Sequence, residues 1–117
     1  MTYKQIYAMI GEIAAVNSGS IPYAYYQFPE TGQQPPFICW YIDGINDFYA
    51  DGINYQGISR VVIEYYSDEK DFVTESAIDN YLQTHGHSYA KGEQYIDSEK
   101  MHETLYSLEV IINGEQS

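Results

Sequence analysis

From Tyr3 to Ala14 the apolar positions Tyr3, Ile6, Tyr7, Ile10, Ile13 and Ala14 recur at three- and four-residue steps, the repeat of one helical face. Thr2 offers a hydroxyl at the N-cap position and Gly19 the first break, so the pattern predicts a helix entered at Tyr3 and stopped by Gly19. In "IPYAYYQF", residues 21–28, the repeat changes to strict alternation, and Pro22 biases Ile21 towards extended backbone. A strand here sends Tyr23 and Tyr25 to one side and Ala24, Tyr26 and Phe28 to the other, with rings on both faces. The tract "PETGQQPP", residues 29–36, has breakers and no apolar period and reads as a surface loop.

"FICWYI", residues 37–42, is a continuous apolar run that suits a central strand covered on both faces, with Cys39 and Trp40 on opposite sides and both buried. Asp51 and Gly52 then sit between "NDFYA" and "INYQ" and supply the turn residues of a tight hairpin. "SRVVIEYYS" sets Val61, Ile63 and Tyr65 against Arg60, Val62, Glu64 and Tyr66, one apolar face and one mixed. Acidic residues from Asp68 to Asp71 precede a second helical stripe, Val73, Ala77, Ile78, Tyr81 and Leu82, closed by Gly86. Two more strands follow, "SYAKGEQYID" and "ETLYSLEVII", joined by a turn at "SEKMH". Runs of strands outnumber alternating units, which predicts a single α+β domain over residues 1–117. Its sheet is mixed and mainly antiparallel, with two helices on one face and a projecting hairpin.

Charge narrows the function. Five basic residues against seventeen acidic ones leave a net charge of −12 with no basic cluster, so neither nucleic acid nor an anionic membrane surface finds the cationic groove it needs. Aromatic stacking on bases without such a groove is a weak grip. The single cysteine lies inside an apolar run, and the amino terminus carries Lys4, Gln5 and Glu12 among its apolar residues. Both fit a cytosolic protein without a signal peptide or membrane span.

Candidate chemistry is sparse. His85, Gly86 and His87 could bring two imidazoles together, but they sit at a helix end where His and Gly serve as caps. Asp43, Asp47 and Asp51 lie in a Gly-rich stretch, yet Phe48, Tyr49 and Ala50 stand where a calcium loop needs oxygens. No nucleophile elbow or phosphate-binding glycine loop is written in the chain. The expectation is no enzyme, no cofactor and no metal site.

Fourteen tyrosines in 117 residues are the remaining feature. A tyrosine combines a large ring with a polar tip and suits half-buried sheet faces and protein interfaces. Either use accounts for them here.

The stretch from "IPYAYYQFPETGQQPPFICWYIDG" to "SRVVIEYYSDEKDF", with "SEKMHETLYSLEVII", resembles the tail terminators, also called tail completion or head-tail joining proteins, of long-tailed phages and prophages of Gram-positive bacteria. The resemblance spans nearly the whole chain and marks no active site. It implies a virion structural protein that assembles in the host cytoplasm. There it forms a ring with copies of itself, commonly a hexamer, at the head-proximal end of the tail tube and meets the tail tube protein and the head-tail connector. Tyr25, Phe48, Tyr49, Asp51, Gly52 and Tyr55 are the candidate interface residues, on the early strand and the hairpin. A head completion protein or minor capsid component is the nearest alternative. An acidic module that occupies a host nucleic-acid-binding protein is a second, and a small-molecule fold with a cavity lined by Tyr and Trp40 is a third.

Overall fold

The computed structural model describes residues 1–28, 32–46, 49–50, 53–54 and 58–112. Helix α1 runs Tyr3–Ala14, and Thr2 caps it as expected: its hydroxyl accepts from the Gln5 amide, while the Gln5 side chain accepts from the Thr2 amide. The buried face is Ile6, Met9, Ile10, Ile13 and Ala14. Tyr7, expected on that stripe, is 56% exposed, and Met9 takes its place. Gly19 does not stop the helix. It ends at Ala14, and a short 3-10 turn at Val16–Ser18 follows, with Asn17 and Ser18 at φ of 59° and 57°.

Strands β1 (Tyr23–Tyr25), β2 (Phe37–Asn46), β5 (Ile58–Ser67), β6 (Tyr89–Ile96) and β7 (Met101–Ile111) form one sheet in the order β1-β2-β5-β7-β6. β1 runs parallel to β2 and every other pairing is antiparallel, which makes the sheet mixed and mainly antiparallel. β5 is its centre and β2 lies one place out, between β1 and β5. Between Asp43 and Ile45 the pairing of β2 with β5 slips at Gly44, a bulge. A separate ladder joins β3 (Tyr49–Ala50) to β4 (Ile53–Asn54) in antiparallel register, the pairing expected of the hairpin. The expected turn at "SEKMH" is shorter than written: Met101 and His102 already pair with Ile96 and Tyr95, and Lys100, at φ 54°, makes the corner.

Register separates the two faces. Tyr23 and Tyr25, Ile38 and Trp40, Val61, Ile63 and Tyr65, and Thr104, Tyr106 and Leu108 align across the sheet on one face. Helix α1 and helix α2 (Phe72–Thr84) both contribute to the buried cluster on that face, through Ile6, Ile10, Ile13, Ile78 and Leu82. Asp71 caps α2 by accepting from the Thr74 amide at 3.0 Å, and its other oxygen accepts from the Tyr65 hydroxyl at 2.7 Å. Val73, expected in the apolar stripe, is 68% exposed, whereas Glu75 is buried in it. Among the described residues no helix is long and apolar enough to cross a membrane.

Candidate interaction surfaces

Two surfaces collect the features that a core does not explain. The first lies where β1 meets α1. Trp40 is 2% exposed, and two tyrosine rings meet it edge-on: Tyr7 at 4.9 Å between centroids and Tyr25 at 4.8 Å. The Tyr25 hydroxyl accepts from the Ile42 amide at 3.2 Å, and the Tyr23 hydroxyl closes on Gly11, where a Cβ would stand 3.3 Å away. Each of the three rings thus has one side anchored, yet Tyr7, Tyr23 and Tyr25 all remain substantially exposed. Among the described strands β1 has a neighbour on only one side.

The second surface is the helix-free face of the sheet. β1 does not continue to Phe28 as the alternation predicts, because Tyr26 adopts φ 71° and turns the chain. That conformation is strained for a bulky side chain, at a cost on the order of 1–3 kcal/mol. It is held by the Tyr26 amide donating to the Trp40 carbonyl at 2.6 Å and by the ring stacking on Tyr41 at 5.6 Å. Beside it Phe28 meets Phe37 edge-on, and Phe37 stacks on Tyr66 at 4.7 Å. Cys39 and Val62 are buried on this face.

Next to this row stand two carboxyl groups. The Tyr66 hydroxyl is 2.9 Å from a Glu64 oxygen and 3.2 Å from a Glu103 oxygen, so one proton serves two acceptors. The Gln94 amide donates to the other Glu103 oxygen at 2.5 Å. Glu103 is only 4% exposed. Burial, followed by the Glu103 charge, holds the Glu64 carboxyl above the usual carboxylate range against the opposing pull of the Tyr66 hydroxyl. Burial and the same two acids push the Cys39 thiol up to about 11, and burial ahead of those charges raises Tyr66. A shallow hollow of about 170 Å³, lined by Gly92, Glu93, Gln94, Glu103 and Leu105, opens beside the pair.

On the helix-covered side the carboxylates are answered by cations. Glu75, 2% exposed, is 2.7 Å from Lys70 and 3.7 Å from Lys91, and Lys91 also reaches Asp79 at 2.8 Å. The Tyr89 hydroxyl donates to Asp79 as well, at 2.7 Å. Lys70 bridges to Glu93 across to β6. This ladder fastens α2 to the sheet edge.

The expected site residues fare unequally. Tyr25 is at the first surface. Tyr49 has its backbone in β3, and Phe48, Asp51, Gly52 and Tyr55 lie outside the described residues. At the two histidines, His85 caps α2 with its ring stacked on Tyr81 at 4.0 Å, and the His87 amide returns to the Leu82 carbonyl beyond Gly86, at φ 75°. Among the described residues no group of three or more His, Cys, Asp or Glu is placed to hold a metal ion. Trp40 belongs to the core, and the surface hollows lined by Arg60, Ser88 and Tyr89, by Glu103 and Leu105, and by Pro36 and Lys70 leave it out. Glu64, Glu103 and Gln94 escape a reading of the sequence because only strand pairing brings them together. No family model and no curated protein matches the chain.

Proposed function

We propose that this chain is a non-enzymatic assembly protein of the phage tail terminator type, which joins copies of itself into a ring at the head-proximal end of a tail tube. The observation that carries this reading is the anchored but exposed tyrosine patch of Tyr7, Tyr23 and Tyr25 beside the three-residue edge strand β1. Rings whose backs are already fixed lose little further freedom on docking, and amphipathic aromatics of this kind form the centres of subunit contacts. The sheet has a second edge at β6, eight residues long and mostly exposed. A head-to-tail ring needs two different surfaces on each protomer, and two unlike sheet edges fit that need.

A charge of −12 per protomer opposes closure. At low ionic strength its repulsion reaches about 30 Å, and near physiological salt about 8 Å. The isolated chain is therefore a monomer or a loose, salt-dependent oligomer, and it closes into a stable ring only on a tail end that aligns the protomers. Sedimentation in low and high salt, with and without purified tails, tests the reading. The expected result is mass that grows with salt and a discrete ring on tails, both lost in Tyr7→Ser with Tyr25→Ser. A strict monomer at both salts that leaves tails uncapped overturns it.

A further inference from the structure

The buried acid of the helix-free face, Glu103, has no counter-charge among the described residues. Glu75 and Asp79 have lysines at ion-pairing distance, and Asp43 has Arg60 at 3.4 Å. Among the described residues the groups that face Glu64 and Glu103 are Cys39 and Tyr41 from β2, Tyr66 from β5, Gln94 from β6 and Leu105 from β7, with Glu93 lining the hollow beside Glu103. None of these is a cation, although Glu103 is 4% exposed. A buried carboxylate is ordinarily matched by a positive partner, and Glu103 has neutral donors, Tyr66 and Gln94, in place of one.

Geometry beside the pair is open. Gly92 lies in register with Leu105 on this face, and a Cβ there would meet nothing within 4 Å. The hollow of about 170 Å³ borders Glu103 at that point. Along the same face run the ring pairs Phe37–Tyr66 and Tyr26–Tyr41, the latter carrying a tyrosine that is 69% exposed. Flat rings next to carboxylates favour guanidinium over ammonium, because arginine stacks on an aromatic face while its planar fork engages carboxylate oxygens.

We propose that the helix-free face of the sheet is a docking surface for a partner protein segment bearing arginine, one of whose side chains enters the hollow beside Gly92 and supplies the positive charge that Glu64 and Glu103 lack. The partner is positively charged at this contact and is not a second copy of this chain, whose single arginine, Arg60, already faces Asp43. Charge complementarity with a −12 chain steers the approach, and the aromatic row gives the segment its apolar footing. This surface is separate from the tyrosine patch at the β1 edge, so it stands or falls independently of the ring.

The full chain titrated with a short alternating Arg-Gly peptide, and with the same peptide carrying neutral citrulline for arginine, tests the proposal by amide NMR at near-physiological salt. The expected result is a set of shifts centred on residues 37–41, 62–66, 92–94 and 103–107, with binding weaker by about tenfold or more for the citrulline peptide. Glu64→Gln with Glu103→Gln should abolish that preference. Asp68→Asn with Glu69→Gln removes the same charge from exposed positions off this face and should keep it. If the double variant at the pair fails to fold, Glu64→Gln alone, at a partly exposed position, makes the same comparison. Equal weakening in the control variant, equal binding of the citrulline peptide, shifts spread over the whole surface, or no binding overturns the assignment.

Discussion

The two faces of this sheet are built from the same strands and solve burial in different ways. Under the helices, Trp40, Tyr65 and Tyr106 are buried by apolar neighbours, the Tyr106 hydroxyl donates to the Glu75 carbonyl, and each buried or half-buried acid there is met by a lysine or a hydrogen-bond donor. On the bare face, among the described residues, no helix covers Cys39, Val62 and Glu103, and two acids share a tyrosine proton. The first sets lysines beside its buried acid, although the second Glu75 oxygen has no hydrogen-bond partner. The second has hydrogen-bond donors on its buried acid but no cation beside it among the described residues.

The largest effect should separate the faces by packing. Trp40→Ala removes a fully buried ring, and a loss of about 3–5 kcal/mol is expected in chemical denaturation. Tyr41→Ala, its neighbour pointing the other way, forfeits a stacked pair and should cost about 1 kcal/mol. Similar losses at both positions would mean that the bare face is as tightly packed as the core.

Acid titration should separate them by sign. Burial works to raise the Asp71 carboxyl, but hydrogen bonds from Thr74 and the Tyr65 hydroxyl outweigh it and hold it below the usual range. Its contribution is thus present above the unfolded value of about 3.9 and lost as pH falls through the lower folded value. Asp71→Ala should cost about 1–2 kcal/mol at neutral pH and flatten the acid limb of a melting-temperature profile. A limb that survives the substitution would refute this assignment.

Glu64 runs the other way. Its raised folded value means that stability is greatest below the unfolded value of about 4.3 and declines as pH rises through the folded one. Cys39, Tyr41, Tyr66 and Glu103 are the titratable groups that face it, and the acid among them adds to the decline. Glu64→Gln should remove that decline and raise neutral stability by under about 1 kcal/mol, since the group is partly exposed and screened. A loss of stability above neutral pH would contradict it.

The smallest effect is on reactivity alone. With its thiol pushed up to about 11, Cys39 should resist alkylation in the native protein at neutral pH, with a rate that climbs about tenfold per pH unit below that value. Glu64→Gln should speed the reaction modestly by removing a nearby charge. Immediate labelling at neutral pH would show the thiol to be open to solvent.

Sequence by itself determined the elements whose signals are local. Thr2 and Asp71 cap the helices they were expected to cap, Gly86 turns the chain after α2, and Val61, Ile63 and Tyr65 lie on one face because alternate residues of a strand must. The α+β class and the opposite-facing burial of Cys39 and Trp40 follow from the same local rules. The tertiary structure decided what local rules leave free. It set Met9 in place of Tyr7 against the core, because a helix with rings on adjoining flanks has more than one rotation that buries an apolar stripe. It bent Tyr26 into a left-handed conformation by stacking it on Tyr41, against the preference of an isolated tyrosine. It also placed Glu64 and Glu103 on one hydroxyl, although Tyr66 and Glu103 are 37 residues apart. Pairing across that distance is fixed by the register of the whole sheet, a sum of many cross-strand contacts that no window of neighbouring residues contains.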